Sequence, residues 1–271
     1  MHIYDFHTHT SFSGDCKSPM ETMIQYAIDH DFQQLCITDH YDYDYPQTEL
    51  ADISFELDLQ QYYEGFMTCK EKYKNDIDLI FGIEVGLQRH IYDDILKNLR
   101  PYPFDFIIGS SHVVNKMDPY IGVYYEGKTK QEAYEGYLED ILYHVTYYQY
   151  YNVYGHLDYI IRYGHYEDKK MVYVEHQDLI DAILKKIIDT GHGIELNTSG
   201  YRQTFKEPHP NMDILRRYAQ LGGEIITIGS DAHLPEHLGY SFNEAFHVLE
   251  HCGFKYFTVF KDMKPRFIKL P

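Results

Sequence analysis

Tryptophan is absent from the sequence, and cysteine is nearly so: only Cys16, Cys36, Cys69 and Cys252 occur, no two of them spaced as Cys-x-x-Cys. That excludes a thioredoxin-type redox pair, a zinc ribbon and a disulfide-stapled scaffold, and it predicts reduced thiols in a cytoplasmic protein. Long apolar runs are missing as well. Nothing approaches the ~18 residues of a membrane span, and Met1-His2-Ile3-Tyr4-Asp5 has neither the basic nor the apolar region of a signal peptide. Positive charge is scarce: 24 Lys and Arg face 42 Asp and Glu, a formal charge of −18. A field of that sign repels phosphate backbones, so long nucleic acid is excluded as a partner.

Core-forming residues are plentiful. Hydrophobic side chains make up 44% of 271 residues, enough for a large core and a length usual for one α/β barrel. We therefore expect a single domain over 1–271. Tyrosine (29 residues) and histidine (17 residues) are the abundant special types.

Strand and helix signals alternate along the chain. Ser18-Pro19-Met20-Glu21, Thr129-Lys130-Gln131-Glu132 and Ser241-Phe242-Asn243-Glu244 read as capping boxes that open helices. Helical apolar spacing follows, for example Leu179, Ile180, Ile183, Leu184, Ile187 and Ile188 in the helix that Gly191 ends. Short apolar runs at 2–6, 35–38, 79–83, 106–109, 153–154, 193–196 and 225–228 look like buried parallel strands, with an eighth candidate at 256–260. The polar stretches 41–60 and 113–130 read as the longest loops. The predicted class is α/β, a single barrel.

The polar residues of interest stand where the apolar runs stop. Successive runs end in Asp5-Phe6-His7-Thr8-His9 with Asp15 nearby, Thr38-Asp39-His40, Glu84, His112, His156-Leu157-Asp158, Glu195-Leu196-Asn197 and Asp231-Ala232-His233. In a parallel barrel those ends share one face, where active sites form. His-x-His on a strand places both imidazoles on one side because the side-chain period is two, and Asp231-x-His233 repeats the pattern. Imidazole with carboxylate suits Zn, Fe or Mn rather than Ca. A lone His-x-His is weak evidence, and His112 or His156 alone would more often be a satisfied structural histidine. The same chemistry at seven strand ends points to metal. His7, His9, Asp15, His40, Glu84, His112, His156, Asp231 and His233 exceed the four ligands of one zinc, so two to three divalent ions are expected.

This set resembles the motif signature of the PHP (polymerase and histidinol phosphatase) family, from residue 5 to 233. The resemblance implies a distorted (β/α)7 barrel. It implies one metal on His7, His9, Glu84 and Asp231, a second on Glu84, His112 and His156, and a third on Asp15, His40 and His233. The runs around His112, His156–Arg162 and Asn197–Arg202 are similar to those of stand-alone histidinol-phosphate phosphatases, which implies metal-dependent hydrolysis of a small phosphate monoester.

Such hydrolysis needs a nucleophilic hydroxide, charge neutralisation at phosphorus and a proton for the leaving alkoxide. Arg162 and Arg202, the basic residues nearest in sequence to the site strands, are the expected phosphate clamps, because guanidinium makes fork-shaped bonds to phosphate. Asp15 or His233 is the expected proton donor, and Asp39 and Asp158 are expected to orient ligand histidines. Three other readings compete. A family member acting on nucleotides, oligonucleotides or phosphotyrosine would share the metal centre and differ in its loops. A non-catalytic metal-binding module would have lost ligands, and all are present. An amidohydrolase would need a bridging Lys after strand four, where His112 stands. Oligomeric state is not legible.

Overall fold

The computed structural model describes residues 3–46 and 55–271; His2, which opens the first expected strand, and residues 47–54 of the first expected long loop lie outside them. Strands and helices alternate in chain order: β1 (Ile3–Asp5), α1 (Met20–Asp29), β2 (Phe32–Ile37), β3 (His40–Tyr41), α2 (Leu59–Lys72), β4 (Asp78–Gly86), α3 (Tyr92–Leu99), β5 (Phe106–Ser110), α4 (Lys130–Tyr147), β6 (Val153–Tyr154), α5 (Gln177–Asp189), β7 (Gly193–Asn197), α6 (Met212–Gln220), β8 (Ile226–Gly229), α7 (Phe242–Cys252), β9 (Tyr256–Lys261) and β10 (Lys264–Lys269).

Seven strands pair in parallel in the order β1-β2-β4-β5-β6-β7-β8, and the two-residue β3 adds to β4. The ends meet. Phe6 N donates to the Ile228 carbonyl (3.1 Å), Asp231 N to that of His7 (2.8 Å) and His9 N to that of Ala232 (2.9 Å). The result is a nearly closed, distorted (β/α)7 barrel: the alternation predicts a barrel, and the family resemblance implies its seven units. Its strands are buried on both faces, which is why they read as short continuous apolar runs rather than alternating ones. The central β4 runs to Gly86, past the expected end at 83, because His40 and Tyr41 supply partners for Glu84 and Val85.

The eighth candidate strand is not a barrel strand. β9 pairs antiparallel with β10, and this hairpin covers the N-terminal end of the barrel. Phe260 packs on Phe106 (ring centroids 5.1 Å), which meets Phe6 edge-on inside the barrel. Thr258 Oγ1 accepts from Ile226 N at the start of β8, and Met263 N donates to the Asp105 carbonyl before β5. Residues 257–260 of β9 are buried on both of its faces, which makes its apolar run indistinguishable in sequence from a barrel strand.

Two of the three expected capping boxes do not form. Thr129 and Glu132 bond reciprocally at the start of α4. Ser18 instead donates to the His233 carbonyl (3.0 Å), beside Cys16 Sγ (3.1 Å), so the β1–α1 loop is tied to the end of β8. Ser241 has left-handed backbone and makes no cap bond. All four cysteines are buried and free. Among the described residues no helix is long and apolar enough to cross a membrane.

Candidate metal centre

Glu84, near the C-terminal end of β4, is fully buried at the middle of the cluster. Its Oε1 lies 3.0 Å from His156 Nε2 and 3.2 Å from His112 Nε2; its Oε2 lies 3.1 Å from His7 Nε2, 3.6 Å from His9 Nε2 and 3.0 Å from His40 Nδ1. Asp231 faces it across the barrel, with Oδ1 3.5 Å from His9 Nε2 and 3.9 Å from His7 Nε2. His9 stacks between His40 and His233, both centroids at 4.2 Å. Asp15 Oδ2 reaches His233 Nε2 at 3.2 Å and His40 Nε2 at 3.7 Å. The parallel strands thus bring all nine sequence-selected candidates together.

Four overlapping triads have ligand atoms close enough to share an ion: His7 with His9 and Glu84; His40 with Glu84 and His112; His7 with His156 and Asp231; and His9 with His40 and His233. They overlap the three sets implied by the family resemblance without reproducing them, and Asp15 belongs to none of the four.

The donor set fits transition-metal ions. His7 Nε2, His9 Nε2, His40 Nδ1, His233 Nε2 and Glu84 Oε2 are buried without hydrogen-bond partners, although buried polar atoms are normally satisfied. They converge on one another, which is the arrangement of ligands around cations. The electrostatics agree. Burial works against charge on every group here. Even so, Glu195, Glu84 and Asp231 hold His7 well above the usual histidine range, Asp42 and Glu84 do the same to His112, and Asp15 and Glu84 bring His40 to about 9. In each case the proton stands in for positive charge that the carboxylates call for. His9 moves the other way, held neutral by burial and by His233 and His40, and neutral imidazole is the form that ligates metal. These buried clusters make a multi-metal site.

Residues outside the nine orient it. Glu195 Oε1 accepts from His7 Nδ1 at 2.6 Å, and Asp42 Oδ1 from His112 Nδ1 at 2.8 Å. Both pairs are the carboxylate–histidine arrangement that fixes ring and tautomer. Neither role was assigned from sequence. Glu195 had a signal: it is two residues before Asn197 on β7, so both face the same side. Gly229 is required beside this pair, since a Cβ there would lie 2.3 Å from His7 Cβ and 2.4 Å from Glu195 Oε1.

The orienting roles expected of Asp39 and Asp158 need correction. Asp39 accepts from Thr10 and Ser13, backbone and hydroxyl of each, pinning the loop after β1; it reaches His9 only through Ser13 Oγ. Asp158 bonds His209 and the Asn211 amide rather than a ligand histidine.

A cavity of about 240 Å³ opens above the cluster, lined by Asp15, His40, Asp42, His112, His156, Asp231 and His233 at its floor and by Tyr45, Phe55, Tyr159, Arg162 and Tyr163 around it. Arg162 Nη2 donates to Asp231 Oδ2 (2.9 Å) and Ser199 Oγ (2.7 Å). Arg202 is not among the lining residues. Its two terminal nitrogens donate to the Ser230 and Asp231 carbonyls, both at 2.9 Å.

A model of the PHP domain matches residues 5–199. Over 264 residues the chain is 30% identical to a histidinol-phosphatase of Lactococcus lactis, covering 96% of this chain and 95% of that protein. It is 34% identical over 254 residues to a Clostridium acetobutylicum protein named as a probable histidinol-phosphatase, covering 93% and 95%. The crystal structure of histidinol phosphate phosphatase from L. lactis, complexed with zinc, L-histidinol and phosphate, matches with a TM-score of 0.90 at 30% identity, covering 97% of this chain and 98% of that one.

Proposed function

Since the chain belongs to the PHP family and carries that family's phosphoesterase metal centre, we propose that its reaction is the hydrolysis of L-histidinol phosphate to L-histidinol and phosphate. The observation that carries the reading is the pocket, which joins a floor of metal ligands and Arg162 to an aromatic rim in one cavity. That rim suits a substrate whose other end holds an ammonium and an imidazole, because aromatic faces attract cations. The full-length likeness to a protein that holds histidinol and phosphate supports the same choice.

In this reading, His7, His9, His40, Glu84, His112, His156 and Asp231 hold two divalent ions, of zinc, manganese or iron, and Asp15 and His233 join His40 as ligands only where a third is bound. When bound, the ions neutralise charge on the phosphoryl oxygens and make water acidic enough to supply a nucleophile at neutral pH. Arg162 binds a phosphoryl oxygen. Its Nε and Nη2 protons are engaged by protein, and Nη1 has no protein partner among the described residues. Arg202 acts beside it by fixing the backbone of Ser230 and Asp231. With two ions bound, the Asp15–His233 pair at the cavity floor is left to protonate the leaving alkoxide, His233 as the donor with Asp15 Oδ2 3.2 Å from its Nε2. A third ion on Asp15, His40 and His233 would exclude that role, so elemental analysis of active protein, two equivalents against three, decides it. A biosynthetic reaction of this kind belongs in the cytoplasm, where four free thiols persist.

Steady-state kinetics of the metal-loaded protein on L-histidinol phosphate beside alkyl, sugar, nucleotide and aryl phosphates tests the proposal. An analogue lacking the amine should lose at least ~10-fold in kcat/KM, about 1.4 kcal/mol. Equal turnover of the two would withdraw the substrate and leave the phosphoesterase.

A further inference from the structure

We infer that His209, held by Asp158, is a positioning residue that presets Arg162 for phosphate. The inference rests on Arg162 as the phosphate clamp. His209 and Asp158 are both fully buried, and neither lines the cavity. His209 Nδ1 lies 2.5 Å from Asp158 Oδ1, and Arg162 Nε donates to His209 Nε2 at 3.3 Å. These contacts fix the tautomer. A nitrogen that accepts from guanidinium carries no proton, so the ring proton sits on Nδ1 and is donated to the carboxylate. The carboxylate makes Nε2 a better acceptor, as it does for a histidine that binds metal, with guanidinium in the place of the ion.

The dyad is itself anchored on both sides. Asp158 Oδ2 accepts from Asn211 N at 3.1 Å. His209 exchanges two backbone hydrogen bonds with Asn197 at the end of β7, at 2.9 and 2.7 Å. Asn197 Nδ2 in turn donates to Asp231 Oδ2 (3.3 Å), the atom that receives Arg162 Nη2. Arg162 is therefore held from Nε by the dyad and from Nη2 by Asp231 and Ser199. An arginine side chain is rich in rotamers, and freezing it on binding weakens binding. Here the order is imposed before phosphate arrives, and the guanidinium plane is fixed relative to the metal ligand Asp231. Binding and orientation of the phosphoryl group are what the dyad should govern.

The test is a double-mutant cycle on the metal-loaded full-length protein, with p-nitrophenyl phosphate as reporter and inorganic phosphate as competing ligand. Asp158→Asn keeps size and removes the charge; His209→Gln keeps an acceptor and removes the carboxylate pairing. Each should raise KM and the phosphate inhibition constant by about 3- to 10-fold, with metal content unchanged and kcat within about 2-fold. In an Arg162→Ala background, the same substitutions should add nothing, because their effect acts through that side chain. Equal effects with and without Arg162, or none with it, would overturn the inference and leave a folding role. If Arg162→Ala alone leaves KM and phosphate inhibition unchanged, the clamp reading fails instead. Should one dyad variant not fold, the other completes the cycle.

Discussion

At Glu84 one carboxylate meets five imidazoles within 3.6 Å. Burial raises its proton affinity, but the histidines, His7 first, bring it well below the usual carboxylate range. Its charge is thus what holds the cluster together, with or without ions. Glu84→Gln preserves shape and removes that charge. Metal content should fall, and kcat should drop by more than the ~10–100-fold typical of losing an outer partner of a metal ligand; elemental analysis and turnover check it, and a variant with full metal and activity would refute the bridging role. Arg162→Ala should keep its metal while weakening substrate use by about 1.5–3 kcal/mol, the range for a charged hydrogen bond, read as KM and phosphate inhibition. The nine ligand candidates were legible because strand ends converge in any parallel barrel, so position alone grouped them. Asp42 and His209 were not, and of Glu195 only the place at a strand end was, since each acts on a residue far away in sequence: Glu195 on His7, 188 positions earlier.

Among the elements, α5 and α6 are joined by an ion pair away from the site. Arg217 Nε and Nη2 donate to the two oxygens of Asp181 at 2.8 and 2.5 Å, and Tyr173 adds a third bond at 2.9 Å. The Arg217 hydrogen bonds hold the Asp181 carboxyl well below its usual range. A carboxyl whose folded pKa is depressed stabilises the fold fully above its unfolded pKa near 4, and that contribution is lost as pH falls through the folded value. Asp181→Asn should therefore lower the thermal midpoint by about 2–4 °C at pH 7, with the gap to wild type closing below about pH 4. A gap that stays constant down to pH 3 would show that the charge is not the cause. The parallel strands and main helices could be read from periodicity. The capping boxes at Ser18 and Ser241 could not, because a cap motif is only an offer of a hydroxyl. At Ser18 a carbonyl at the end of β8 takes it, and that contact helps bring Asp15 up to His233.

For the whole molecule, the consequence of the centre is a fold that depends on its cations. Buried carboxylates and imidazoles face one another at the barrel's C-terminal end, and without ions they rely on protons for compensation. Removing metal with a chelator should lower the thermal midpoint, and adding zinc or manganese should restore it. An ion present at 1,000 times its dissociation constant contributes about 4.1 kcal/mol. Differential scanning fluorimetry with metal analysis checks this; a midpoint unmoved by proven metal loss would mean that the barrel is held independently of its centre. A barrel was visible in the alternation of strand and helix, and its seven units in the family resemblance. The role of the last strand was not, since an apolar stretch buried under the barrel looks in sequence like one buried within it.

That last hairpin makes the barrel a cul-de-sac. Phe260 and its neighbours close the far end, so traffic uses the mouth framed by Tyr45, Phe55 and Tyr163. In the proposed reaction, phosphate bound by the residues of the floor would stand behind the alcohol from which it is cleaved and would leave after it. Departure in that order has a kinetic signature. Inorganic phosphate, the last to go, should compete with the ester for the emptied site, whereas the alcohol should inhibit without competing. Product-inhibition patterns read this directly, and a competing alcohol with a non-competing phosphate would require a second exit.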